Sequence, residues 1–211
     1  MRKFHLSKKR NIVIVLILIV GCATPPDPDI DFISVPDIST KDYCRGNGYI
    51  LSKGTFDGRL NFTFSTSRDS AYIQFRDIIG RKILFLVIAN NEIDAWDMRN
   101  NRRYNKESIL LTLPMFELIE PNELRTFLWG SIPSIFSDAN NIKSKSEILH
   151  REIQFQSVQT QFGSLVNNIS FRMSDKNSQI SLEITEREFD AQYPHLIREI
   201  PNAIILINES S

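Results

Sequence analysis

Cysteine is scarce in this chain: Cys22 and Cys44 are the only two in 211 residues. That excludes a disulfide framework and any paired-cysteine metal or redox motif. Histidine is almost as rare, and His5, His150 and His195 have no nucleophile or carboxylate at a recognisable motif spacing. Glycine-rich phosphate loops and the His-Glu-x-x-His pattern are also missing. These absences argue against an enzyme and give no candidate metal ligands or cofactor. Long hydrophobic runs are lacking as well. The longest, residues 12–20, has nine aliphatic residues, against the roughly 20 that a spanning helix needs. With 25 Lys+Arg against 25 Asp+Glu and no basic stripe, nucleic acid is excluded as a partner. No repeat of solenoid length is visible.

What is present starts at the N-terminus. Arg2, Lys3, Lys8, Lys9 and Arg10 precede the aliphatic run, without an acidic residue among them. This is the layout of a secretory signal peptide. Ile19-Val20-Gly21-Cys22 then resembles a bacterial lipobox, in which the Cys thiol is acylated and becomes the new N-terminus. The expected organisation is a lipoprotein signal peptide at 1–21, a lipidated Cys22 with a Pro-rich tether over 22–42, and a folded domain over 43–208. The acyl anchor implies attachment to a membrane without a span. Ala23 in place of Asp after the cysteine points, by analogy with enteric lipoprotein sorting, to the outer membrane, facing the periplasm. Removing the leader leaves 20 Lys+Arg against 25 Asp+Glu. Cys44 is then the one remaining thiol and reads as a small buried hydrophobe.

The body of the chain alternates with period two. "RLNFTFS" sets Leu60, Phe62 and Phe64 against Asn61, Thr63 and Ser65. "AYIQF" sets Ala71, Ile73 and Phe75 against Tyr72 and Gln74. "ILFLVIA" (83–89) is continuously apolar, as for a strand covered on both faces. "LVNNISFRM" sets Leu165, Ile169, Phe171 and Met173 on one side, and "ISLEIT" sets Ile180, Leu182 and Ile184. A last strand is expected at 203–208. Two short helices fall between the strand groups. One spans 105–113. The other is "PNELRTFLWG", with Pro121 at its start, Gly130 at its end, and Leu124, Phe127 and Leu128 on one face. Asp94 and Asp97 beside Trp96 read as a solvated strand end, and Glu183, Glu186, Glu188 and Asp190 as a surface run. The expected fold is mainly β (α+β): an incomplete antiparallel barrel or curved sheet, with short helices plugging its concave hydrophobic face. The pattern predicts a monomer.

Three stretches, "YCRGNGYIL", "DSAYIQFRDIIGRKILFL" and "PNELRTFLWGSIP", together resemble the LolA/LolB-like family of lipoprotein localisation factors. The likeness is to the outer-membrane receptor more than to the periplasmic carrier. It implies a hydrophobic cavity for acyl chains, a protruding apolar loop that helps insert cargo, and no catalysis. By this resemblance the insertion loop is Ile78, Ile79 and Gly80, with Ile79 at the protruding position. Phe127 takes the place of the family tryptophan, with Trp129 nearby. Candidate cavity residues are Phe62, Phe64, Ile73, Phe75, Leu84, Leu86, Leu124, Phe127, Leu128, Ile169, Phe171, Leu182 and Ile184. The alternative for each is a place in a filled core. The implied partners are acylated lipoproteins and a periplasmic carrier. The other open reading is an anchored module of the same fold that binds a different lipid or acts as a scaffold or accessory subunit.

Overall fold

In the computed structural model of the protein, residues 37–54, 57–104, 109, 113–117, 119–133, 151–173, 178–201 and 205–206 are described. The expected leader and Cys22 lie outside them, as does most of the helix expected at 105–113. Within that stretch Ile109 and Leu113 are buried, and the Leu113 amide donates to the Ile109 carbonyl at 2.8 Å.

The alternating segments become strands of one open sheet. Before the helical region come β1 (Tyr43–Lys53), β2 (Gly58–Ser67), β3 (Ser70–Arg76), β4 (Lys82–Ala89), β5 (Glu92–Asp97) and β6 (Arg102–Tyr104). After it come β7 (Arg151–Thr160), β8 (Gly163–Met173), β9 (Ser178–Phe189) and β10 (Ile205–Leu206). The order across the sheet is β10-β6-β5-β4-β3-β2-β1-β9-β8-β7. All pairings are antiparallel except β10 with β6, which is parallel. The last strand expected at 203–208 is thus found at Ile205–Leu206. The chain is mainly β, and the sheet is open, with β7 at one edge and β10 at the other.

One face of the sheet carries the main core. Cys44, Phe62, Phe64, Ile73, Phe75, Leu86, Ile169, Phe171 and Leu182 all point to it. The helix α1 (Pro121–Leu128) covers it, packing against β2 and β4 and burying Leu124, Phe127 and Leu128. Its sequence explains its limits. Pro121 sits in the first turn, where a missing N–H costs nothing. At the other end the Gly130 amide donates to Phe127 O (2.8 Å) and the Ser131 amide to Thr126 O (3.2 Å). Gly130 adopts φ 87° to make this cap. Ile38, which the sequence placed in the tether, also packs into this core.

The other face has a smaller cluster. Phe85 is fully buried under Leu196 and Ile200 from the segment after β9. This is why 83–89 is apolar throughout: Leu84, Leu86 and Ile88 serve one face and Phe85 the other.

Two bulges shift the alternation in the second half. Gly48 pairs with Ile184 but Asn47 pairs with Glu186, so Thr185 is the extra residue in β9. Asn167 is the extra residue in β8, between the pairs Gln156–Asn168 and Ser157–Val166. The sequence pattern places Val166 opposite Leu165, whereas both are buried, because the bulge at Asn167 breaks strict alternation.

Candidate functional site

The hairpin joining β3 and β4 is the first candidate. Ile78 is 78% exposed and Ile79 69%. Both are held there by Asp77. Its backbone carbonyl accepts from the Gly80 amide at 3.0 Å, and its own amide donates to Arg81 O at 3.1 Å. Its side chain accepts from the Ile79 amide (3.1 Å), the Arg81 amide (2.9 Å) and the Arg81 guanidinium (2.6 Å). Gly80 sits at φ 84°, where a side chain is strained. Arg76 reaches the Gly80 carbonyl at 3.4 Å. The tip is therefore a turn with a fixed hydrogen-bond pattern that leaves two β-branched apolar side chains in water, flanked by Arg76, Arg81 and Lys82. Some desolvation pushes the Asp77 carboxyl up, but the hydrogen bonds and charge of Arg81 outweigh it and hold its pKa below the ordinary value.

The second candidate is the apolar face. Phe62, Phe64, Ile73, Phe75, Leu84, Leu86, Leu124, Phe127, Leu128, Ile169, Phe171, Leu182 and Ile184 are all buried and belong to one contiguous cluster. The structure brings every one of them together, as packed neighbours. Phe62 and Phe75, for instance, have ring centroids 5.7 Å apart. Ile184 also borders an open pocket of about 440 Å³ at the end of the cluster.

That pocket lies where the sheet divides. The β8–β9 ladder runs from the Met173–Ser178 pair to the Asn168–Glu183 pair and stops. Beyond it β8 stays with β7 and β9 stays with β1. The α1 terminus enters this fork, and the Val166 amide donates to Gly130 O at 2.8 Å. Arg187 follows it in from β9. Its Nε donates to Leu128 O (2.9 Å), and its Nη2 to Phe127 O (3.2 Å) and Val166 O (2.9 Å). The cation thereby meets the carbonyl end of the helix, where positive charge is favourable. Burial pushes the Arg187 pKa down to about 10. Cys44 lies beside it, its Sγ 3.9 Å from Leu128 O, and burial pushes its thiol up to about 12. This agrees with the reading of Cys44 as a buried, inert thiol.

Sequence reasoning missed three features. Arg187 lies among the carboxylates Glu183, Glu186, Glu188 and Asp190 and draws no notice there, because the bulge that turns it inward leaves no trace in "ITEREF". Asp97 was read as a solvated strand end but is buried. Burial pushes its carboxyl up, but hydrogen bonds from Asn100, Tyr104 and the Arg99 amide bring its pKa below normal. The signal available was its position two and three residues before Arg99 and Asn100, the spacing of an Asx turn. Asp94, by contrast, is ion-paired with Arg103. The third feature is the Gly46/Gly48 pair, whose glycines lie across from Phe64 and Phe62 in the ladder.

No protein-family model matches the chain, and no curated protein matches it.

Proposed function

We propose that this chain is a LolA/LolB-like envelope lipoprotein, anchored through an acylated Cys22 in the outer membrane and facing the periplasm. In this reading it accepts acylated lipoproteins from a periplasmic carrier and helps insert their acyl chains into the bilayer. It acts as a monomer without catalysis. The antiparallel sheet is then the wall of an incomplete barrel, and α1 closes a concave apolar face that opens to admit cargo. The observation that carries the reading is the exposed Ile78–Ile79 pair on a turn locked by Asp77. Apolar side chains at a hairpin tip flanked by cations suit contact with lipid headgroups and the acyl boundary beneath them. Replacing Ile79 tests it. The Ile79→Glu variant is expected to bind acylated peptide normally but to lose its insertion into liposomes, and full insertion by that variant would refute the loop assignment.

One observation favours a second reading. The residues expected to line a cavity are packed against one another, which suits an anchored module that binds a different lipid or serves as a scaffold or accessory subunit. Mass spectrometry of co-purifying lipid separates the two. Acylated peptide supports the first reading. Phospholipid, glycolipid or no lipid supports the second.

A further inference from the structure

The Ile78–Ile79 tip belongs to a wider pattern at one end of the sheet. Antiparallel pairing puts the β1–β2, β3–β4 and β5–β6 hairpins side by side at that end. Each is two strands from the next, so neighbouring hairpins stand about 10 Å apart and the row is about 20 Å long. The tip lies in the middle one. Residues 53–59, 76–82 and 97–103, which make this row, hold eight Lys and Arg against three Asp. The three hairpins at the opposite end, residues 66–71, 88–93 and 159–164, hold Arg68 against Asp69 and Glu92. Among these hairpins the positive surplus belongs to the end that carries the exposed isoleucines.

Two of the row's three carboxylates are already engaged. Asp77 is paired with Arg81 at 2.6 Å, and Asp97 is buried, accepting from Asn100 and Tyr104. Arg103 pairs with Asp94. Lys53, Arg59, Lys82, Arg99 and Arg102 are exposed and form no ion pair among the described residues. Arg59 donates to the Asn61 side chain at 3.2 Å and lies over the Tyr49 ring, contacts that leave its charge uncompensated. Like charges this close repel one another across a Debye length of about 10 Å, and an anionic surface relieves the repulsion.

We propose that this row of hairpins docks on a bilayer rich in anionic phospholipid, with Ile78 and Ile79 below the headgroups and the cations of the flanking hairpins on the phosphates. The inference rests on reading the tip as a membrane contact, and adds the class of lipid and the end by which the sheet stands on the bilayer. Each Lys or Arg held near an anionic surface strengthens binding about fivefold. Isoleucine gains the same from the acyl boundary of any bilayer, so the cations select the membrane.

A fluorophore at the tip tests it. The full-length Cys22→Ser, Ile78→Cys chain takes nitrobenzoxadiazole at residue 78, because its other thiol, Cys44, is buried. Quenching by nitroxide-labelled lipid then reports whether the tip lies in the bilayer. Quenching is expected in phosphatidylcholine vesicles of which about one third is phosphatidylglycerol. In phosphatidylcholine alone, half-maximal quenching should need about tenfold more lipid or higher. The same rise is expected in anionic vesicles near 1 M salt, where the Debye length falls to about 3 Å. Lys53→Glu with Arg99→Glu changes two exposed positions outside the tip's hydrogen bonds. This pair should also raise the lipid requirement in anionic vesicles about tenfold or more, with the melting temperature unchanged. The basic N-terminal segment is common to both chains and cannot produce that difference. Equal quenching in neutral and anionic vesicles, or an undiminished response of the double variant, would overturn the proposal while leaving the tip as a membrane contact. No quenching in any vesicle would overturn both.

Discussion

Gly48 lies directly across from Phe62 in the β1–β2 ladder, and the Phe62 ring fills the space that a Cβ at residue 48 would take, 2.5 Å from the nearest ring carbon. Gly46 and Phe64 repeat the arrangement one pair further along, at 2.7 Å. Two phenylalanines thus lie flat over the β1 backbone because that strand has no side chains there. This is the physical content of the "RGNG" stretch. A Cβ at residue 48 would also stand 2.2 Å from the Glu183 carbonyl oxygen of β9, so Gly48→Ala is expected to displace both the ring and the β1–β9 pairing and to lower stability by about 1–3 kcal/mol, the usual cost of overpacking. Urea unfolding with an unchanged m-value checks it; a neutral effect would contradict the close approach of β9 and the Phe62 ring to the β1 backbone.

Arg187 ties α1 to both arms of the fork. Arg187→Gln leaves the Phe127, Leu128 and Val166 carbonyls short of a donor at a buried place, with an expected loss of about 1–3 kcal/mol. Amide exchange should rise first over residues 124–131, since that is the element the guanidinium holds. Uniform loss of protection across the sheet would contradict a local cap.

Cys44 is fully buried with its thiol pushed up to about 12. In a full-length Cys22→Ser chain, iodoacetamide at pH 8 is expected to leave Cys44 unmodified in the native state and to alkylate it in urea. Rapid native labelling would mean that the α1 side of the core opens readily.

The hairpin tip carries a pH dependence. Asp77 has its folded pKa lowered from 3.8, so its contribution is present above that value. It is lost as pH falls below 3.8 towards the folded value. Amide exchange at Ile79 and Arg81, corrected for intrinsic rates, should therefore accelerate below pH 3.8 and stay flat above it. Asp77→Asn should remove the step.

How much of this was readable beforehand follows from where the information sits. The strands of the first half were legible because Phe62, Phe64, Ile73 and Phe75 alternate with polar residues, and alternation is what a one-face-buried strand imposes. Helix α1 was legible from Pro121, Gly130 and the spacing of Leu124, Phe127 and Leu128. A core and a cavity wall, however, have the same composition, so the sequence left Phe171 or Leu182 open to either role. The resemblance singled out Ile78 and Ile79; that they stand in water was not legible from the residues themselves, because exposure depends on what else packs nearby. The Arg187 site was hidden for a third reason. Its inward turn is set by pairing with β1, and pairing is a relation between distant segments.

Thr185 makes that last point in another way. A strand is a two-beat message, in which odd and even positions are addressed to opposite faces, and Thr185 is a one-residue frameshift in it. Upstream, Ile180, Leu182 and Ile184 are delivered to the core; downstream, the frame resumes with Arg187 and Phe189. Deleting Thr185 would restore the strict beat with Arg187 and Phe189 still on the core face; keeping Thr185 but losing the bulge would readdress the rest of the strand. Glu186 and Glu188 would be sent inward and Arg187 out, away from the helix end it holds. In a stretch of charged residues that looks tolerant of change, the bulge decides which of them meets the core.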